Sequence, residues 1–384
     1  MSNIFYITQV QIDFGIISLL SEECTKYGIT KPLIITDQGI KKAGILDKAL
    51  QVLAPMVVSV FDETPSNPTE AAVVQAARIC KDKGCDGIIA LGGGSSIDCA
   101  KGVAILATHP GELKNYATIE GGSARISDKV LPLIAVPTTA GTGSEVARGA
   151  ILIVQDGRKL GFHSWHLVPK VALLDPELTL GLPPLLTAAT GMDAIAHCME
   201  TFMAPPFNPP ADGIALEGLT RGWANIERAT INGNDHEARK NMMCASMMGA
   251  MAFQKGLGCV HSLSHSLGGV NPKLHHGTLN AVFLPSVIEF NSSADSIRKE
   301  NRLLRMAHAI GLSPADEQEA LKAIKNALKE MSSNLGLPNG LRQMGVEEVM
   351  FEKIIDGAVA DHCHKTNPRI ATRSDYAQML LESM

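Results

Sequence analysis

Up to residue 137, short β-branched runs take turns with amphipathic helical stretches; beyond the GLPP at 181–184 only helical spacing remains. PLIITD (32–37), MVVSVF (56–61), DGIIAL (86–91) and PLIAVP (132–137) read as strands, with GILDKALQVL and PTEAAVVQAARICKDKG as helices between them. A strand returning parallel to its predecessor needs a crossover of about a dozen residues or more, which such helices supply. The first half is thereby confined to a parallel sheet with helices on both faces, and ligands of such sheets bind at the carboxyl ends of the strands. AILIV and VALLD add two further runs, with a QDGR turn after the first. Downstream, segments near 185–203, 210–229, 235–255, 276–290, 297–310, 314–335 and 347–361 carry apolar residues three and four apart. The expectation is an α/β N-terminal dinucleotide-binding domain with a parallel sheet over 1–182 and an all-α C-terminal domain over 183–384, with the Pro-rich GLPP marking the boundary.

A net charge of -5 and the absence of any Lys/Arg block argue against nucleic acid as a partner and point to a small molecule. No run of about 18 apolar residues is present, so no membrane span is expected. The N-terminal MSNIFYITQVQIDFG has no basic region followed by an apolar run, so no leader is expected. Cysteines 24, 80, 85, 99, 198, 244, 259 and 363 form no CxxC pair, which fits reduced, mostly buried thiols in a cytoplasmic protein.

Three strand ends carry ligand-binding chemistry. Asp37 closes IITDQG, where a carboxylate can accept from a ribose and repel a 2′-phosphate, favouring NAD over NADP; the alternative is a turn Asp before Gly39. LGGGSSIDCAK (91–101) follows a strand and opens a helix, and its glycines let backbone amides approach a pyrophosphate. VPTTAGTGSEV (136–146) follows the next strand and offers the hydroxyls of Thr138, Thr139 and Thr142, which read otherwise as capping groups. Lys159, after the QDGR turn, reads as a cofactor contact or as a solvated hairpin lysine.

The second half supplies metal-ligand chemistry. Asp193 and His197 stand four apart in GMDAIAHCME, so both leave one face of a helix. His261 and His265 repeat that spacing, and His275–His276–Gly277 follows. Five of the chain's 12 histidines fall in these two places, and one Asp with three His is a plausible N/O shell for a divalent cation. DHCHKTNPR (361–369) brings two more histidines, read as surface or supporting groups.

GGGSSIDCAK, PTTAGTGSEV, LPPLLTAATGMDAIAHCMETF, AFQKGLGCVHSLSHSLGG and HHGTLNAVFLP together resemble the iron-containing (group III) alcohol dehydrogenases, in that family's order and over roughly residues 30–370. The resemblance implies a dinucleotide-binding domain, a helical domain with a cleft between the two, NAD, a divalent metal (Fe²⁺, sometimes Zn²⁺), and a homo-oligomer. Carried over by residue, it implies Asp193, His197, His261 and His276 as metal ligands, with His275 open as the alternative to His276. It implies Gly93, Gly94, Ser95 and Asp98 in the pyrophosphate loop, and Thr138, Thr139, Thr142, Lys159 and Leu186 as further cofactor contacts, and it supports Asp37 as the NAD-selecting residue. His265 matches the family's non-ligand active-site histidine, either a proton relay or a group orienting a ligand. FDETPSNPTEA, YATIEGGSARI, GRKLGFHSWHL and PADGIALEGL look like the branch of that family acting on 4-hydroxybutyrate. Lys255 and a histidine of His163–His166 are nominees for meeting that substrate's carboxylate. Dehydroquinate synthase shares the architecture, but a phosphate-ester substrate needs convergent Lys/Arg groups that the metal motifs lack. A nucleotide-binding protein without catalysis would be expected to have lost a ligand or a loop.

Overall fold

Four of the strands are buried along their whole length, the mark of a parallel sheet covered on both faces. In a computed structural model describing residues 8–384, the α/β unit comprises residues 8–139 with Gly143–Gly181. Its strands are β1 (Gln9–Ile12), β2 (Pro32–Ile35), β3 (Ser59–Phe61), β4 (Gly87–Gly92), β5 (Leu133–Pro137), β6 (Gly149–Ile153), β7 (Lys159–His163) and β8 (Val171–Leu174). Six of them form one sheet in the order β1-β8-β5-β4-β2-β3, every neighbour parallel. The inner strands β2, β4, β5 and β8 are wholly buried, while the edge strands β1 and β3 are only partly so. β6 and β7 pair antiparallel as a separate hairpin around the QDGR turn.

Alternate residues of each strand go to opposite faces, as the pleat requires. Leu33, Ile35, Ile88 and Ala90 pack with helices α4 (Glu70–Asp82) and α5 (Gly94–Thr108). Ile34, Ile89, Leu91, Ile134 and Val136 face the other way, onto α1 (Leu20–Lys26) and α3 (Ile45–Leu53), which precede and follow the short α2 (Gln38–Lys42). From β2 the chain crosses to β3 on one side, then returns to β4 on the other. The C-terminal ends of β2 and β4 therefore flank a topological switch point, where such sheets hold ligands.

The helical unit comprises Ala140–Thr142 with Leu182–Met384. Its helices are α6 (Pro184–Met203), α7 (Pro209–Ile231), α8 (His236–Met251), α9 (Cys259–Val270), α10 (His276–Asn291), α11 (Asp295–Lys299), α12 (Arg302–Ala309), α13 (Glu317–Asn334), α14 (Phe351–Ala360) and α15 (Arg373–Glu382). α6 is the central element, packed by α7, α8 and α10. It begins with proline at its first position, where a missing N–H costs nothing. From Thr187 to Met203 it is buried at every residue but Thr190. A helix buried all round should be apolar all round, so Asp193, His197 and Glu200 stand out.

The α/β fold with its parallel sheet and the helical second half are as the sequence implied. The differences are local. β1 (QVQI) escapes the pattern because it is a four-residue edge strand with two glutamines. α9 escapes it because Ser, His and Gly are poor helix formers; burial of Cys259 through His265 stabilises it instead. The segment near 297–310 is two helices, broken where Asn301 takes φ 50°. Among the described residues no helix is long and apolar enough to cross a membrane. The leader reading falls partly on residues 1–7, outside the described residues.

Candidate metal centre and nucleotide loops

The loop after β4 turns on Gly92, whose φ of +150° suits glycine, and a Cβ there would stand 2.5 Å from Ser96 Oγ. Gly93 N-caps α5 without any side-chain cap, so the first-turn amides of Gly94, Ser95 and Ser96 face outward from a 15-residue helix. Amides at a helix N-terminus are a ready anion site. Gly93 lies against Thr139, where a Cβ would come within 3.3 Å. Thr138 N donates to Gly92 O, tying the ends of β4 and β5 together. Thr138 Oγ1 is buried and finds no acceptor or donor among the described residues. A buried hydroxyl left without a partner costs free energy, so one aimed at a strand end suits a bound ligand.

The remaining nucleotide candidates divide. Asp37 sits at the end of β2, and its Oδ1 accepts from Gly39 N at 2.8 Å and Ile40 N at 3.1 Å, capping α2. Its Oδ2 lies 3.3 Å from Ser96 Oγ, on the switch-point side. Ser95 Oγ donates to Ser66 O, and Lys159 Nζ donates to Asn67 Oδ1 at 3.1 Å, so one loop collects both. Asp98 turns inward, accepting from Ser144 Oγ at 2.6 Å and Ile151 N at 2.9 Å. Both of its oxygens thus hold neighbouring segments of the unit. Lys101 is fully buried and donates to the carbonyls of Ser144, Ala147 and Gly149, a stitch the sequence reading passed over. Thr142 and Leu186 belong to the helical unit, the latter exposed near the start of α6.

In the helical unit α6 presents Asp193 and His197, α9 presents His261, and the first residue of α10 is His276. Asp193 Oδ1 lies 3.5 Å from His197 Nε2, 3.7 Å from His261 Nε2 and 3.6 Å from His276 Nε2. His275 is the N-cap of α10, one residue back. The donor atoms of Asp193, His197 and His261 all lie within 4.8 Å of one another. Ligand atoms about 2.1 Å from a tetrahedral cation stand about 3.4 Å apart, so the spacings fit one divalent ion. Asn280 Nδ2 adds a second sign of convergence. It donates to Asp193 Oδ1 at 2.7 Å and lies 3.2 and 3.3 Å from His261 Nε2 and His276 Nε2. One donor reaching three lone-pair atoms marks the point a cation would occupy.

The ligand rings are oriented from behind. His197 Nδ1 donates to Gly141 O at 3.3 Å, and His261 Nδ1 donates to Glu200 Oε2. Both aim Nε2 at Asp193, so that a deprotonated Nε2 would turn its lone pair to a cation there, and the partner at Nδ1 raises ligand basicity. Glu200 is held in turn by Val260 N at 2.8 Å. Gly277 explains the HG pair: a Cβ there would stand 2.0 Å from Ala189 O, so only glycine lets α10 approach α6 closely enough. Burial raises the Asp193 carboxyl, but the charges of His197, His276 and His261 outweigh it and hold the group well below the usual range. Burial takes His197 down to about 4. Burial also lowers His261, yet Glu200 and Asp193 overcome it and hold that imidazole up at about 9. His265 stacks on His276 with centroids 5.3 Å apart and donates from Nδ1 to Asp361 Oδ2 at 3.1 Å.

The family description "Iron-containing alcohol dehydrogenase" matches residues 8–176, and "Fe-containing alcohol dehydrogenase family, C-terminal" matches residues 187–384. The chain belongs to the iron-containing alcohol dehydrogenase family. Among this family's members it is 62% identical to the 4-hydroxybutyrate dehydrogenase of Cupriavidus necator, over all of both chains. It is 33% identical to the NAD-dependent methanol dehydrogenase of Bacillus methanolicus, again over all of both. The solved structure of a 1,3-propanediol oxidoreductase superposes with a TM-score of 0.93 at 33% identity, covering all of both chains.

Glu200, Asn280 and Asp361 were not singled out in the sequence, and Gly277 was noted only as the partner of His276 in the HG pair. Glu200 had a signal, an acid at i+3 from His197 on an apolar helix. Asn280, at i+4 from His276, had a weaker one. Lys255, nominated for a substrate carboxylate, is buried and ion-paired with Asp212 while donating to Phe202 O, so its charge is already met. His163 Nδ1 lies 2.9 Å from Thr118 Oγ1, and His166 is exposed.

Proposed function

We propose that this chain is a metal-dependent, NAD-linked dehydrogenase interconverting 4-hydroxybutyrate and succinic semialdehyde. The observation that carries the substrate is the 62% identity to a 4-hydroxybutyrate dehydrogenase without a gap in coverage at either end. The relative described as NAD-dependent supports the cofactor, as do the α5 amides and the orphan Thr138 hydroxyl.

Asp193, His197, His261 and His276 hold the metal, taken as Fe²⁺. When bound, the metal supplies Lewis acidity toward an alcohol or aldehyde oxygen, and the nicotinamide supplies or accepts hydride. The chain's own residues do the rest. Glu200 and Gly141 O fix the ring tautomers so that the imidazole lone pairs face inward. The α5 amides and Thr138 bind the nucleotide at the switch point, and Asp37 disfavours a 2′-phosphate. His265, kept in one tautomer by Asp361, accepts the alcohol proton at Nε2 and passes it on to solvent. Three buried ligand side chains exclude water from one side of the centre.

The test compares kcat/KM for succinic semialdehyde with that for butyraldehyde, using NADH and metal-reconstituted protein. Burying the carboxylate without a partner is costly, so a site built for it should favour the acid by about tenfold or more. Equal efficiency on both aldehydes makes this a general short-chain alcohol dehydrogenase of the family.

A further inference from the structure

Beside the Asp193 centre lies a second convergence of donor atoms, made by His265 of α9 and the consecutive residues Asp361, His362 and Cys363. One donor atom from each of the four can be chosen so that all lie within 4.8 Å of one another. His265 Nδ1 to Asp361 Oδ2 is 3.1 Å, Asp361 Oδ1 to His362 Nδ1 is 3.7 Å, and His362 Nε2 to Cys363 Sγ is 3.4 Å. These contacts involve both carboxylate oxygens of Asp361 and both ring nitrogens of His362; for one donor per residue the measure is the 4.8 Å span, which must contract by about an ångström to reach the roughly 3.4–3.8 Å edges of a tetrahedral shell.

We infer that His265, Asp361, His362 and Cys363 form a second site for a borderline-soft divalent cation such as Zn²⁺ or Co²⁺.

The chemistry of the set supports this assignment. One thiol and two imidazoles select zinc-like ions over magnesium or calcium, which prefer oxygen. Asp361 is pre-positioned: its Oδ1 accepts from Cys363 N at 2.8 Å, capping the turn His362–Thr366 that carries the other two donors. Cys363 is buried. His362 provides entry, with its side chain 40% exposed while Cys363 is covered. The histidine rings run in series, His276 to His265 at 5.3 Å and His265 to His362 at 5.8 Å, so the second site adjoins the first without sharing its four ligands.

The inference stands on this geometry and not on the reaction proposed above; a cation bound here would occupy His265 and Asp361, the pair assigned there to proton transfer, and so would compete with that role. The probe is Co²⁺ added to metal-free full-length protein, followed by equilibrium binding and near-ultraviolet absorption. The Asp193 centre contains no sulfur, so a thiolate-to-cobalt charge-transfer band reports the second site alone. The expected result is two equivalents per chain with that band. Cys363→Ser and His362→Gln should each reduce binding to one equivalent and remove the band. Asp193→Ala should keep the band at one equivalent. His362→Gln alters a half-exposed side chain and guards against a Cys363→Ser protein that fails to fold. Saturation at one equivalent without a sulfur band overturns the site, and so does a band that survives in both Cys363→Ser and His362→Gln.

Discussion

At the carboxyl edge of the sheet, most of what is offered to a ligand is main chain: the amides of Gly94, Ser95 and Ser96, freed by a loop turning on Gly92. In the helical unit, what converges is side-chain atoms from three helices, α6, α9 and α10. The first construction depends on local conformation, so most changes to its surrounding side chains are small. The second depends on distances between helices, so one methyl group or one charge behind a ligand is felt at the centre.

Direct removal of a ligand should give the largest effect. Asp193→Ala leaves three imidazoles without the oxygen on which they converge, and divalent-metal affinity should fall more than about a hundredfold. Metal content after dialysis reads this; a variant that keeps stoichiometric metal would show that another group anchors the ion. Gly277→Ala comes next. Its Cβ would meet Ala189 O, so α10 must retreat and carry His276 with it. Overpacking of this kind costs about 1–3 kcal/mol of stability. Metal affinity should fall by up to about a hundredfold. Thermal melting and metal titration together check it, and unchanged values in both would mean that the approach of α10 to α6 is slack.

Glu200→Gln is milder and has a definite pH signature. The Glu200 charge helps to hold His261 up at about 9, so below that pH the metal must displace a proton from His261. Removing the charge makes the imidazole a weaker ligand but also a weaker base. Affinity should fall about tenfold near pH 9, and the deficit should shrink as pH is lowered toward 6. A pH-independent deficit would detach Glu200 from the protonation of His261.

The smallest effect belongs to the nucleotide side. Asp37 both caps α2 and projects an oxygen toward the switch point. Asp37→Asn keeps the cap and removes the charge, whereas Asp37→Gly removes both. The ratio of NADP(H) to NAD(H) efficiency should rise about two- to fivefold in Asp37→Asn, in line with a solvent-screened charge contact of about 0.5–1 kcal/mol. If the ratio moves only in Asp37→Gly, the residue is a helix cap and nothing more.

How legible each region was follows from the same contrast. The strand runs, the glycines after β4 and the threonines after β5 are signals written within ten or so residues, because they specify local backbone geometry. The residue types of the convergent cluster were legible too, since Asp193 and His197 share one helix face and histidines are scarce. The supporting groups were not. Nothing in the spacing of GMDAIAHCME says that Glu200 meets His261, 61 residues away, or that Asn280 meets Asp193, 87 residues away. Asp98 shows a contact that the motif did not announce. Its motif placed it with the phosphate loop, but the fold turns it to Ser144 and Ile151.

By itself the sequence determined the layer architecture, because the periods of 2.0 and 3.6 residues decide which side chains share a face. It indicated the chemical type of the cluster as well, because one Asp with several His offers nitrogen and oxygen donors suited to a divalent ion. Only the tertiary structure decided which atoms converge. It set His276 beside Asp193, gave Gly277 its steric purpose, paired Lys255 with Asp212, and brought Asp361, His362 and Cys363 to His265. The reason is physical: a ligand's type is a property of one residue, while its direction and protonation are set by neighbours that helix packing brings in from distant parts of the chain.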